Sequence, residues 1–311
     1  LVKLGIYEII EKLGIIGGNH MRSVLRFLIR LVVIISGFLF TFNLPYLLGI
    51  ENDKIKVSFQ VFGKMVKEDF LAIVQLEDSK FLVSLKVLPI AENYQYTMTI
   101  LAASLLVVFL LAMFTAVCVM LSPRKVQNWL KNWINFFEAV PDLLVIFLFQ
   151  FLVIFLLKKT GLRIFQLYGI FGAKPYFVPV VTVSFLPFFL LLQFLIKVMT
   201  EEQNQPYVVY LRAKGIGMVR ILLVHIFRNI FPLLLLQLRT VVWVILANIY
   251  LIEYMFNLNG FTKVLQKIIF LLKDFPSLIV CLIMFAIPLV AVEAAGLLLT
   301  RRLKGKESAG L

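Results

Sequence analysis

Six apolar runs, each set off by charged or proline-marked flanks, dominate the chain: residues 27–49, 98–121, 134–157, 175–197, 230–252 and 276–299. A helix rising 1.5 Å per residue needs about 20 apolar residues to cross a hydrocarbon core of about 30 Å, so each run reads as a membrane span. Between the first two runs the pattern changes. Ile55 to Val61 and Phe81 to Val87 alternate apolar with polar positions, which predicts two half-buried strands in a small β-rich outer segment, residues 50–97. Over 260–273, Phe261, Val264, Leu265, Ile268, Ile269 and Leu272 recur at helical spacing, with Lys263, Gln266, Lys267 and Lys273 elsewhere on the helix. That pattern predicts an amphipathic helix in the outer interface. The expected fold class is an all-α integral membrane protein of six transmembrane helices.

Composition excludes a soluble reading. Hydrophobic residues make up 61% of the 311 and charged residues 15%, and mean hydropathy is +0.98, whereas a soluble chain carries about 25% charged residues. The net charge of +14 fits cytoplasmic loops of a membrane protein better than nucleic-acid binding, and no nucleic-acid partner is expected. With both ends inside, inner segments carry 17 Lys and Arg against 13 outside. Lys158, Lys159, Arg163 and Lys174 on one outer loop run against that bias. Residues 1–20 read either as a short cytoplasmic helix with Ile6, Ile9, Ile10 and Leu13 on one face, or as a non-native extension ahead of Met21. The remaining divisions are a first span at 21–49, the outer segment 50–97, a five-helix core at 98–299 and a cytoplasmic tail at 300–311. Cys118 and Cys281 both sit in apolar runs, so neither a disulfide framework nor a metal site is expected. Glu138, Asp142, Arg239 and Glu293 fall within or beside spans, where a charge costs about 2.5–3.5 kcal/mol at the bilayer centre, and need positions away from lipid.

The informative stretch is the polar interruption 199–232. Two helix-like pieces, Tyr207 to Lys214 and Met218 to Phe231, are separated by Gly215 and Gly217, and a glycine there can take the left-handed conformation that ends one helix and redirects the chain. Within it stand Tyr207, then Leu211-Arg212-Ala213-Lys214-Gly215, then Arg220, then His225-Ile226-Phe227-Arg228-Asn229-Ile230-Phe231-Pro232. This ordered spacing resembles the loop of permease subunits of bacterial ABC importers, in particular the dipeptide, oligopeptide and nickel branch. Leu211 stands where that branch usually has alanine. Pro141 and Pro179 fit its short proline motifs, and Glu253, Phe256 and Gly260 fit its Glu-x-x-Phe-x-x-Pro-Gly element, with Asn259 in place of the proline. Asp274-Phe275-Pro276 is similar to the Asp-Tyr-Pro that opens its last span. The glycine-rich stretch usual before the second span is absent, where this chain reads Ala91 to Thr97.

The resemblance implies a type I importer permease in which the 199–232 loop forms coupling helices seated in a cytoplasmic ATPase. It further implies a second, non-identical permease, two ATP-binding subunits, an extracytoplasmic substrate-binding protein and surrounding lipid as partners, in a prokaryotic inner membrane. The chain carries no Gly-x-x-x-x-Gly-Lys-Ser/Thr, so ATP and magnesium are expected on the partner subunits and no catalytic role is expected here. Lone His225 reads as a capping or packing residue, and Glu253 as a cap or ion-pair member at the outer end of the fifth span. The alternatives are an intramembrane lipid-modifying enzyme and an ATPase-independent channel or sensor. The first needs a polar catalytic constellation such as His-Glu-x-x-His, which the sequence lacks.

Overall fold

A computed structural model describes residues 20–51, 54–75, 88–160 and 174–308. The chain forms two compact units, one of residues 1–86 with 268–280 and one of residues 87–267 with 281–311.

In the first unit, helix α1 (His20–Asn43) ends where Pro45 cannot continue the ladder, and a 3-10 turn (Leu44–Leu47) leads into an antiparallel hairpin, β1 (Leu48–Glu51) with β2 (Lys54–Val57). Leu48 faces Val57 and Glu51 faces Lys54. Helix α2 (Phe59–Gln75) then returns along α1, with Phe40 edge-on to Phe62 at 5.3 Å and the Asn43 amide donating to Asp69 at 2.8 Å. The β-rich expectation for 50–97 is thus corrected. Of the first expected strand, Ile55 to Val61, only Ile55 to Val57 is extended, as part of β2, and the chain is helical from Phe59 because its apolar residues continue at helical rather than alternate spacing. The second expected strand, 81–87, lies outside the described residues, as do residues 1–19.

The second unit is built on α3 (Ile90–Leu121) packed lengthwise against α6 (Phe177–Gln203), with α8 (Met218–Met255) against both. Ser104, Val108, Ala112 and Ala116 recur every fourth residue on α3 and are fully buried. Small side chains along one stripe let two backbones approach closely, which is how membrane helices gain contact without a hydrophobic driving force. Against that stripe the core is filled by Leu191, Leu192 and Leu195 of α6 and by Val241, Val242 and Ile245 of α8.

Among the described residues four helices are long and apolar enough to cross a membrane: Ile90–Leu121, Phe177–Gln203, Met218–Met255 and Phe275–Gly296. The third expected span, 134–157, is broken. Helix α4 (Arg124–Glu138) meets α5 (Asp142–Thr160) at 93°, and only counted together do they add a fifth. Pro141 has no N–H to extend α4 and biases Val140 away from helical geometry, while its carbonyl accepts from Leu144 and Val145 and starts the new helix. The first expected span, 27–49, is described as a shorter apolar stretch, Val32–Leu47. The expected amphipathic helix begins as α9 (Phe261–Lys267), with Phe261, Val264 and Leu265 buried, but its final turn, Ile268–Leu272, is a π turn ending at Lys273 with φ 51°. Leu272, placed on the apolar face by its spacing, is exposed. A wider π turn rotates the later positions off the α-helical register. Helix α10 runs from Phe275 to Ser308.

Three of the charges singled out in the sequence find partners. Arg239 of α8 pairs with Glu293 of α10 at 3.0 Å, both partly exposed. Lys174, one of the loop cations that run against the orientation bias, pairs with Glu92 at 2.7 Å.

Candidate functional site

Helix α6 ends at Gln203, and Pro206 opens α7 (Pro206–Ala213) at a position whose N–H would have no partner in the helix. Helix α7 closes on Gly215, with φ 77°. The Gly215 N–H donates to the Arg212 carbonyl at 2.9 Å and the Ile216 N–H to the Leu211 carbonyl at 3.2 Å. This pair of bonds is the Schellman closure, which needs a left-handed residue that glycine supplies without strain. Gly217 is extended (φ −63°, ψ 144°) and leads into α8, whose first turns pass through a π segment, Ile221–Ile226. The two expected helical pieces are therefore present, and the second runs on into the fifth span. Pro232 lies inside it, where its ring removes one ladder bond without ending the helix.

Val208 anchors α7 in the core, and Tyr207 and Leu211 are half-buried beside it. The opposite face carries Val209 and Tyr210, 61% and 58% exposed, with exposed Arg212, Ala213 and Lys214. The Lys214 ammonium sits 4.5 Å from the Tyr210 ring centroid, and the Arg212 guanidinium reaches the Met218 sulfur at 3.5 Å. Arg220, Arg228 and Asn229 are exposed, while His225 is half-buried within the π segment.

Glu202 ties these pieces together, and sequence reasoning passed it over. Its Oε1 accepts from the Tyr207 hydroxyl at 2.8 Å and from the Asn229 amide at 3.0 Å. One carboxylate thus joins the end of α6, the start of α7 and the first turns of α8. Burial, and then the hydrogen bond and negative charge of Glu202, push the Tyr207 phenol up to about 12, so it remains a donor throughout the physiological range. The sequence signal was present as an acidic pair, Glu201-Glu202, heading an otherwise basic loop.

At the other end of α8, Glu253 is 2% exposed. The Thr97 hydroxyl donates to its Oε1 at 2.5 Å, and the Thr262 N–H and hydroxyl donate to its Oε2 at 2.9 and 2.5 Å. Thr97 in turn accepts the Phe261 N–H at 2.8 Å. The carboxylate therefore clasps the start of α3 and the start of α9 to the end of α8. Helix α8 stops at buried Phe256 through a second Schellman closure, here with Asn257 at φ 48°, the Asn257 N–H on Tyr254 and the Leu258 N–H on Glu253. Gly260 is required by contact: a Cβ there would lie 2.0 Å from the Glu253 carboxyl carbon. Asn259, in the proline's place, accepts from the Lys263 ammonium at 3.0 Å, and Asn257 accepts from it at 2.9 Å. Asp274 and Pro276 belong to the other compact unit. There the Ser277 hydroxyl donates to the Asp274 carboxylate, and Pro276 occupies the first turn of α10, where it costs no hydrogen bond.

Residues 108–305 match the family model of the binding-protein-dependent transport system inner membrane component, well over half of the 311-residue chain. The chain belongs to this family. It is a membrane-embedded permease subunit of an ABC importer, which works with a substrate-binding protein and ATPase partners. No curated protein matches the permease. The matched stretch includes the 199–232 loop and Glu253, and begins after α1, the hairpin and α2.

Two predictions follow from these contacts. Gly260→Ala forces a Cβ into the Glu253 carboxylate, and overpacking of this kind costs about 1–3 kcal/mol. The purified permease should lose thermal stability by several degrees, and the added change Glu253→Asp, which withdraws the carboxylate, should restore part of the loss. Equal melting of wild type and Gly260→Ala would contradict the contact. Glu202→Ala removes the acceptor shared by Tyr207 and Asn229, and a net loss of about 1 kcal/mol raises local opening about fivefold. Tryptic cleavage after Arg212, Lys214 and Arg220 should accelerate accordingly, while Glu202→Gln, which keeps one acceptor oxygen, stays near the wild-type rate. Equal cleavage rates in all three proteins would remove Glu202 from this role.

Proposed function

We propose that this permease couples nucleotide-driven closure of two cytoplasmic ATPases to alternating access, through the 199–232 loop. The observation that carries the reading is the two-faced helix Pro206–Ala213. Val208 is rooted in the core while Val209, Tyr210, Arg212 and Lys214 face outward on a helix stopped by Gly215. An apolar patch ringed by cations on a short rigid helix, held to α6 and α8 through Glu202, suits a groove in a partner protein and transmits that partner's movement to two membrane helices at once. ATP and magnesium belong to those partners. The permease acts beside a second, non-identical permease and receives substrate from an extracytoplasmic binding protein, for which residues 50–97 offer a surface. Peptides are the substrate class, with nickel or a related small solute as the variant within the same branch. The support for the branch is the Tyr207, Arg212 to Gly215 and His225 to Pro232 spacing, together with the Glu253, Phe256 and Gly260 element.

The full topology in this reading has six spans with both termini in the cytoplasm, α1 being the first and α5 the third. With exposed Cys118 replaced by serine, Gln75→Cys should react with an impermeant maleimide from outside, and Gly305→Cys should react only after the membrane is opened. The reversed pattern would sink the orientation and the coupling assignment with it.

Gly215→Val tests the mechanism. A β-branched residue at φ 77° costs about 1–2 kcal/mol, although a Cβ there meets nothing within the chain itself. The variant should insert normally, yet in proteoliposomes uptake and substrate-stimulated ATP hydrolysis should fall together. Normal uptake with normal stimulation would remove the loop from the transmission path.

A further inference from the structure

We propose that helix α4 (Arg124–Glu138) lies in the membrane–water interface and binds the headgroups of anionic phospholipid. The geometry of its two ends sets its direction. At its start, the Gln127 amide donates to the Met120 and Ser122 carbonyls and holds the helix to the end of span α3. At its finish the chain turns through 93° into α5. With α5 taken as the third span, the reading proposed above on which this inference rests, a helix perpendicular to it runs along the bilayer surface rather than through it.

Its residues divide accordingly. Every apolar side chain from Val126 to Phe137 falls on one arc of the helix, and every charged or amide side chain falls on the other. One edge of the apolar arc is occupied by the permease: Ile134 is buried and the Phe137 ring stacks on Phe189 at 4.9 Å, while on the polar arc Asn135 accepts from Gln193 at 3.0 Å. The other edge is uncovered. Trp129 and Phe136 are each 60% exposed and Trp133 is 45% exposed, in one row of edge-to-face ring contacts. Two tryptophans and a phenylalanine beside a polar face match the amphipathic chemistry of the headgroup region, where an aromatic ring meets hydrocarbon and its N–H meets water. The charge on the polar arc selects the headgroup. Arg124, Lys125 and Lys131 oppose a single acid, Glu138, so the surface they meet should be anionic.

The experiment uses the permease assembled with its partners in vesicles. In a Trp243→Phe background, Trp129 and Trp133 are the only tryptophans left in this chain, and the quenching of a matched complex that also carries Trp129→Phe and Trp133→Phe is subtracted to remove the partners' signal. Lipids brominated near the headgroup should quench them more than lipids brominated near the chain end. Stronger quenching by the deep bromines, or none in the assembled complex, overturns the placement; the second result would assign the aromatic row to a partner subunit. Headgroup selection is read separately, from the preference of spin-labelled phosphatidylglycerol over phosphatidylcholine for the protein-bound lipid shell. Arg124→Gln, Lys125→Gln and Lys131→Gln should each lower that preference by up to about fivefold at low salt, with the effect shrinking as salt is added. An unchanged preference in the triple variant overturns the anionic-lipid assignment. Neither readout involves transport or the 199–232 loop, so a failure here is distinct from a failure of the coupling reading.

Discussion

Hydrocarbon offers no hydrogen-bond partner, so a polar group that this chain carries into or beside a span is best answered from within the protein, although the buried Ser104 hydroxyl and Asn248 Oδ1 find no partner among the described residues. Glu253 meets the constraint with three donors, from Thr97 and Thr262, and the backbone on either side is arranged around those bonds. The need to keep the carboxylate seated accounts for Gly260, whose absent side chain is the space the carboxylate fills. It also accounts for the placement of α9, whose first N–H groups point back at Thr97 and Glu253. Arg239 and Glu293 meet the constraint by pairing with each other.

The same constraint operates at the helix ends. Two helices, α7 and α8, stop through the same pair of backbone bonds around a left-handed residue, one at Gly215 and one at Asn257. Each closure satisfies carbonyls that water would otherwise have to reach and sets the exit direction of the chain. At the loop end this direction presents Arg212 and Lys214 outward; at the far end it returns the chain over Glu253. Between them α8 is one continuous helix of 38 residues, so the loop and the Glu253 clasp stand on a single rigid element. Helix α8 is thus the direct route through the chain from the 199–232 loop to the Glu253 end. The π segment at Ile221–Ile226 is the place along that route where the ladder is widest.

Much of this arrangement was legible in the chain because its cause is local. Membrane residence followed from composition, and the loop's two helices followed from a glycine pair between periodic stretches, since a left-handed turn needs glycine whatever surrounds it. Gly215 and the helix from Tyr207 stand where the spacing placed them. The first expected strand was read too long, because the alternation over Ile55 to Val61 runs on past Val57 into a helix that only the following residues declare. The third span was misread because hydropathy sums over the bend at Pro141 without registering it.

What only the tertiary structure decided are the relations between residues far apart in sequence. Glu202 carries no marker of its importance, and its role appears only when Asn229, 27 residues later, reaches it. Thr97 and Glu253 are 156 residues apart, and no periodicity links them. The sequence by itself determined that the chain resides in a membrane, where the 199–232 loop breaks and which glycine ends its first helix, because hydrophobicity and backbone sterics act over a few residues. The partners of Glu202 and Glu253 were settled by how α3, α6, α7, α8 and α9 pack, because a hydrogen bond depends on position to within a few tenths of an ångström, and position is a property of the whole fold.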